Sequence, residues 1–290
     1  MSTPRVRVAA LAVQPPPSAW FGALAAMTRK ELLIILRYPL ELVASFGQVF
    51  LIVAIFTLAG LMFAPTDQAA PEARAGVAGT MIYGFILFIF LTETLWTIGY
   101  HVRREQKQGT FEQLYLSPAP RSASLISRVL VTLLWTGLLA AISVAIMSAM
   151  IGHLPFANLG LSVPILLLAL SGTFGVGFAF AGLTLHVRET AQVLASVLQF
   201  SFMVLCAPFF PFAALPDWLQ LVSRAIPLSY GVDAFRASLM GFPPGFPELA
   251  PIDTELAIVA TFGVLMPALG LWIYRRAEER ARRSGTLSEY

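Results

Sequence analysis

From Val129 to Val187 the chain runs for 59 residues without an Asp, Glu, Lys or Arg, with only His153 and His186 as titratable groups. A transmembrane helix needs about 20 apolar residues, because about 30 Å of hydrocarbon is crossed at about 1.5 Å per residue. The stretch is long enough for two spans, and Gly152-His153-Leu154-Pro155-Phe156-Ala157-Asn158 places a turn between them. The rest of the chain repeats the pattern. It is 57% hydrophobic and 12% charged, where soluble domains carry about 25% charged residues. The expected fold class is therefore an all-α polytopic membrane protein. Six spans are read at about 40–64, 77–100, 123–151, 160–185, 190–213 and 256–274, flanked by cytoplasmic tails at 1–17 and 276–290. The lone cysteine, Cys206, lies in an apolar run and reads as a small packing residue. Val8–Val13 is too short for the apolar region of a cleavable signal peptide and runs into Pro15-Pro16-Pro17.

Six spans put both termini on one side, and Lys and Arg are enriched on cytoplasmic flanks. One face carries sixteen basic residues, among them Arg29, Lys30, Arg103, Arg104, Lys107, Arg188 and Arg275; the other carries only Arg74, Arg224 and Arg236. Both ends are thus expected in the cytoplasm. Arg128, near the start of the third span, is expected to snorkel to the interface.

Three segments do not read as simple spans. The first, 18–38, starts at a plausible N-cap (Ser18) and sets Trp20, Leu24, Met27 and Ile34 on roughly one face, with Arg29, Lys30 and Arg37 elsewhere. Such a helix suits the membrane interface; the alternative is that it begins the first span. The second follows the second span. Gly109 permits a break, Thr110 with Gln113 forms a capping-box pattern, and Phe111, Leu114 and Tyr115 share a face before Ser117-Pro118 ends the helix. A helix of two turns cannot bury that face on itself, so it lies on the membrane or fits a partner's groove.

The third segment, about 214–240, lies on the opposite side. Asp217 is expected to cap a helix bearing Trp218, Leu221 and Val222 on one face, and Pro227 breaks it. Ser229 then begins a second helix with Val232, Phe235 and Leu239 on one face and a partly exposed Asp233–Arg236 pair at i,i+3. Together they read as a re-entrant hairpin, packed on this chain's own helices or on those of a second copy.

These last two segments resemble the permease subunits of ABC type-2 exporters, the multidrug, polysaccharide and nodulation-factor export permeases. Glu105 to Pro118 reads E-x3-G-T-x-E-x-L-x-x-S-P, and residues 215–236 read LPDWLQLVSRAIPLSYGVDAFR, with Pro216, Trp218, Leu219, Pro227, Leu228, Tyr230, Asp233 and Arg236 in the family's pattern. The resemblance covers about residues 19–280. It implies that the helix at about 110–117 is a coupling helix docking into a separate ATP-binding subunit, with Glu105, Gly109, Thr110, Phe111, Glu112, Leu114, Ser117 and Pro118 as coupling residues. It also implies two permease copies, expected as a homodimer, and two ATPase copies. ATP and Mg are then used by the partner and no cofactor is bound by this chain. The outer loop Pro65–Gly79 is too short for a folded external domain.

Other chemistries find no support. Neither lysine, Lys30 or Lys107, follows a glycine, so there is no Walker A loop. No H-E-x-x-H occurs and no two histidines stand at i,i+4. No catalytic or metal site and no nucleic-acid partner are expected. Glu93 interrupts the second span; it reads either as a proton or cation relay, or as a carboxylate satisfied by Thr92, Thr94 or a basic neighbour. Gly172, Gly175, Gly177 and Gly182 read as helix-packing residues. Val49 and Val53 are expected to face a second copy. An exporter of a hydrophobic, amphipathic or lipid-linked substrate is the leading reading; the alternatives are an ion-coupled secondary transporter and a non-transporting scaffold. Seventeen Arg against two Lys hints at a GC-rich bacterial genome, hence an inner membrane.

Overall fold

A computed structural model describes residues 17–63, 71–107, 121–151, 154, 156–187 and 190–283. Every regular element among them is helical: α1 (Pro17–Arg37), α2 (Pro39–Phe63), α3 (Pro71–Lys107), α4 (Arg121–Ile151), α5 (Leu159–Val187), α6 (Ala191–Leu205), α7 (Asp217–Arg224), α8 (Pro227–Met240) and α9 (Ile252–Arg283), with a 3₁₀ turn at Phe212–Ala214. α2, α3, α4, α5 and α9 are each long and apolar enough to cross a membrane, and α6 is a shorter apolar helix.

Helix ends differ from the expected spans where the backbone, not the bilayer, decides. α3 continues to Lys107 because nothing from His101 to Lys107 breaks a helix; hydrocarbon thickness limits the apolar run, not the helix. α6 stops at Leu205 rather than near 213, ahead of Pro208 and Pro211. At the other end of the chain, Pro39 disfavours the α region for Tyr38 and separates α1 from α2. α1 packs mainly on the start of α4. There Arg128 does not simply snorkel: its Nη2 sits 3.3 Å from Glu31 Oε1 of α1. Arg29 and Lys30 are exposed, as is Ile34 of the apolar face.

α3 is the central element. It touches α2, α4, α5, α6 and α8, and its apolar window Gly79–Thr97 is 61% buried, against 17% for Leu42–Ala59 of α2. Val49 and Val53 are buried against the chain's own core, which corrects their expected outward orientation; Leu51, Ile55, Leu58 and Met62 form the exposed side of α2. The tightest seam joins α5 to α9. A Cβ on Gly172 would enter the Phe262 ring, one on Gly175 would enter the backbone at Met266-Pro267, and one on Gly182 would press on Tyr274 and Ala277. From α9, Gly263 and Gly270 lie against the backbones of Leu168 and Gly175. Within a bilayer, such close approach of small residues drives helix association.

Pro267, inside α9, has no N–H for the carbonyl of Gly263 four residues earlier. Ser171 Oγ of α5 donates to that oxygen at 2.7 Å. Gly270→Leu should therefore unfold or misassemble the bundle, costing about 1–3 kcal/mol or more, since only backbone lies opposite. Ser171→Ala should cost about 1–3 kcal/mol by orphaning one carbonyl. Thermal unfolding in detergent checks both, and an unchanged midpoint in Gly270→Leu would mean that the seam is not close-packed.

Candidate functional site

At about 1.5 Å per residue the 15 residues of α6 cover only about 22 Å, short of the hydrocarbon thickness. The chain then leaves the helix. Ala207 adopts a left-handed φ of 45°, and Cys206, Ala207, Pro208, Phe212 and Leu215 are all buried. Non-helical backbone at this depth is tolerated only where protein satisfies its polar groups. The guanidinium of Arg236 does so: Nη1 donates to Phe210 O at 3.2 Å and Nη2 donates to Ala207 O.

Arg236 reaches that segment from α8, which packs against α3, α5 and α9. Pro227 occupies the first turn of α8, where its missing N–H costs nothing, and Gly241 ends the helix in the left-handed region, φ 77°. Every residue from Gly231 to Leu239 is buried, so the helix is wrapped on all sides. Asp233 and Arg236 are fully buried, not partly exposed. They attract each other, but each directs its hydrogen bonds elsewhere. Asp233 Oδ2 accepts the backbone N–H groups of Glu248 (2.6 Å) and Leu249 (2.8 Å), fastening the loop that leads into α9. The Glu255 side chain, from the first turn of α9, lies beside Asp233 as well. Glu248 Oε2 accepts the Ala213 N–H at 3.0 Å.

Charges in this cluster are shifted by burial. It pushes the Asp233 carboxyl up, opposed by the Leu249 N–H, the Glu255 side chain, the Arg236 charge and the Glu248 N–H. It also pushes Glu248 up, and pulls Arg236 down to about 10, which leaves the guanidinium charged at neutral pH. Gly84 of α3 makes room for the arrangement, since a Cβ there would overlap Pro208 O and Arg236 Nη2.

The other hairpin residues have smaller parts. Pro216, not Asp217, is the N-cap of α7, and Asp217 is its first residue. Trp218 is 68% exposed, so the apolar face of α7 points away from the bundle, whereas Phe235 packs into the chain's own core. Tyr230 Oη donates to Arg224 O at 2.9 Å, closing the corner between α7 and α8. Gly109, Thr110, Phe111, Glu112, Leu114, Ser117 and Pro118 lie outside the described residues; Glu105 falls on the last two turns of α3.

A second polar feature lies nearer the other end of α3. A cavity of about 360 Å³ is enclosed by α1, α2, α3, α4 and α6, and Glu93, Gln48, Thr132, Trp135 and Gln199 are among its walls. Trp96 Nε1 donates to Gln199 Oε1 at 2.8 Å. Glu93 is not satisfied as expected: Thr94 Oγ1 donates to Phe90 O at 2.7 Å, Thr92 Oγ1 has no partner, and no described basic residue pairs with the carboxylate.

Sequence reasoning singled out Asp233 and Arg236 but missed Gly84, Gln48 and Gln199. Lone amides and a lone glycine within apolar runs were the available signals. Arg236→Leu should cost about 3–5 kcal/mol by stranding two carbonyls and the Asp233 charge, and Gly84→Ala about 1–3 kcal/mol by displacing the guanidinium. Exposed Asp217→Ala should leave the unfolding midpoint near that of the wild type. Equal midpoints for all three variants would refute the anchor.

A search among curated proteins finds no match. The sequence model of the ABC-2 type transporter family matches residues 22–240, a region that includes α2–α6 and the whole hairpin with its Arg236 anchor. The chain therefore belongs to the ABC-2 type transporter family and is the multi-pass membrane permease of an ABC transporter.

Proposed function

We propose that this permease works as an exporter, driven by a separate ATP-binding subunit that docks on the segment at about 110–117. The observation that carries the reading is family membership combined with the stretch from Glu105 to Pro118, which begins in the last turn of α3. ATP and its Mg belong to the partner, which acts in two copies on a pair of permeases. The basic residues clustered at 29–37, 103–107 and 275–283 favour cytoplasmic termini, in a bacterial inner membrane.

α3 is the natural lever. The helix runs from Gly84, under the Arg236 anchor, to Lys107 at the docking segment, about 35 Å at about 1.5 Å per residue. A push at one end therefore reaches the hairpin at the other without an intervening loop, and rocks the spans packed around α3. The second permease copy is assigned to the exposed sides of α2 and α6, which carry Ile55, Leu58, Val197 and Phe200. Cargo passes between the copies, from the cytoplasm or inner leaflet outward, and is hydrophobic, amphipathic or lipid-linked. An ion-coupled carrier is less well supported, because paired intramembrane charges at broken helices would be expected.

Phe111→Ala combined with Leu114→Ala should abolish co-purification of the ATPase or uncouple hydrolysis from transport, while insertion and folding survive. Normal stimulated hydrolysis in that variant would move the docking site elsewhere. Ile55→Cys or Leu58→Cys in a Cys206→Ser background should crosslink two copies in native membranes; if no position on the exposed sides of α2 and α6 does so while the ATPase still co-purifies, the homodimer is wrong.

A further inference from the structure

Glu93 lies one helical turn inside Thr97, the end of the apolar window of α3, at the end of the bundle where α1 packs. A carboxylate at that depth is costly unless a counter-charge or hydrogen-bond donors offset it. Arg236 and Asp233, at the other end, have such partners. Glu93 has none among the described residues, and instead faces a cavity of about 360 Å³.

The walls of that cavity say what would complete it. Phe85, Phe88 and Trp135 present aromatic surface, which attracts a cation through the ring quadrupole. Gln48 and Gln199 offer amides, and the Thr92 hydroxyl, which also lines the cavity, is buried without a partner. The volume equals that of about a dozen waters at about 30 Å³ each, too roomy for a bare inorganic ion. No group of three or more His, Cys, Asp or Glu placed to hold a metal occurs among the described residues. An anion would meet the Glu93 charge, and a neutral apolar guest would leave it uncompensated.

We infer that the cavity seats an organic cation, a protonated amine or a quaternary ammonium or phosphonium on an apolar body, with the Glu93 carboxylate as its counter-charge. As a cargo-loading site it rests on the permease reading above; cation binding by the chain itself does not require the ATPase. Specificity follows from the arrangement. Aromatic walls accept many apolar bodies, whereas a single carboxylate selects one unit of positive charge. The site is therefore permissive in shape and strict in sign.

The test uses the full chain in a maltoside detergent, without nucleotide, with radiolabelled tetraphenylphosphonium in equilibrium dialysis and empty micelles subtracted. Saturable binding near one per chain is expected. Tetraphenylborate, the same shape with the opposite charge, should bind at least tenfold more weakly, a comparison that needs no variant. Glu93→Gln should weaken tetraphenylphosphonium at least tenfold and narrow its advantage over the borate, Glu93→Asp should stay within a few-fold of wild type, and Trp135→Leu should weaken the cation without altering the preference for its sign. Equal affinity for the two ions, or a Glu93→Gln variant that folds and binds as wild type, would overturn the assignment. So would the absence of saturable binding by both tetraphenylphosphonium and the smaller phenyltrimethylammonium. If the ATPase co-purifies and no cation binds, the cation site fails and the ATPase-driven export reading stands; if no ATPase co-purifies, that reading fails whatever the binding result.

Discussion

A backbone carbonyl at membrane depth must find a donor within the protein, because hydrocarbon offers none. Two breaks of the helical ladder in this fold are repaired from another helix. Below Leu205, where α6 ends short, the guanidinium of Arg236 receives the carbonyls of Ala207 and Phe210. Before Pro267 in α9, the hydroxyl of Ser171 receives the carbonyl of Gly263. Each repair requires the donor helix to stay in register with the broken one. The hairpin is thereby held against α3, and α9 is locked to α5 by the same glycine seam that lets their backbones meet.

That requirement divides the molecule mechanically. α3, α5, α8 and α9 form a tightly interlocked body in which charged side chains, glycine contacts and carbonyl repairs reinforce one another. α2 and α6 are looser: each buries one side and leaves the other, rich in Leu, Ile, Val and Phe, facing outward. For an exporter powered from one end this division is useful. Under the proposed function, the rigid body would convey a push along α3, and the looser helices would be those able to slide against lipid or a second copy. In that reading the Arg236 cluster would act as a fixed point on which the hairpin turns, since Arg236 and Asp233 are fully buried and both hold backbone groups.

Polar groups inside the bundle thus fall into two kinds. Asp233 and Arg236 are buried with their partners and serve geometry. Glu93, Gln48 and Gln199 line the cavity. Satisfied networks rigidify a fold, whereas a carboxylate left facing a cavity keeps its interaction free energy for whatever enters. The positions match that distinction: the cluster that binds backbone groups sits at the hairpin end, and the carboxylate without a partner among the described residues at the end from which export would load.

Much of this was legible in the chain. Uninterrupted apolar runs located the spans, because no other fold hides 59 residues without a charge. Prolines and glycines marked the hairpin and the separation of α1 from α2, and the motif at 215–236 pointed to Asp233 and Arg236 before their surroundings were known. What the sequence could not determine was which side of each helix turns inward. Within a bilayer, Val49 and Leu51 are equally apolar, so hydrophobic periodicity carries no signal, and only packing decided that Val49 is core and Leu51 surface. Likewise an i,i+3 spacing allowed Asp233 and Arg236 to pair, but tertiary contacts sent one to the α9 loop and the other to the broken end of α6. The sequence by itself determined which runs are apolar enough to enter a membrane, since that depends on transfer free energies read along the chain. The tertiary structure alone decided which polar groups are satisfied and which face a cavity, because that depends on donors brought from other helices, 92 positions away for Ser171 and Gly263.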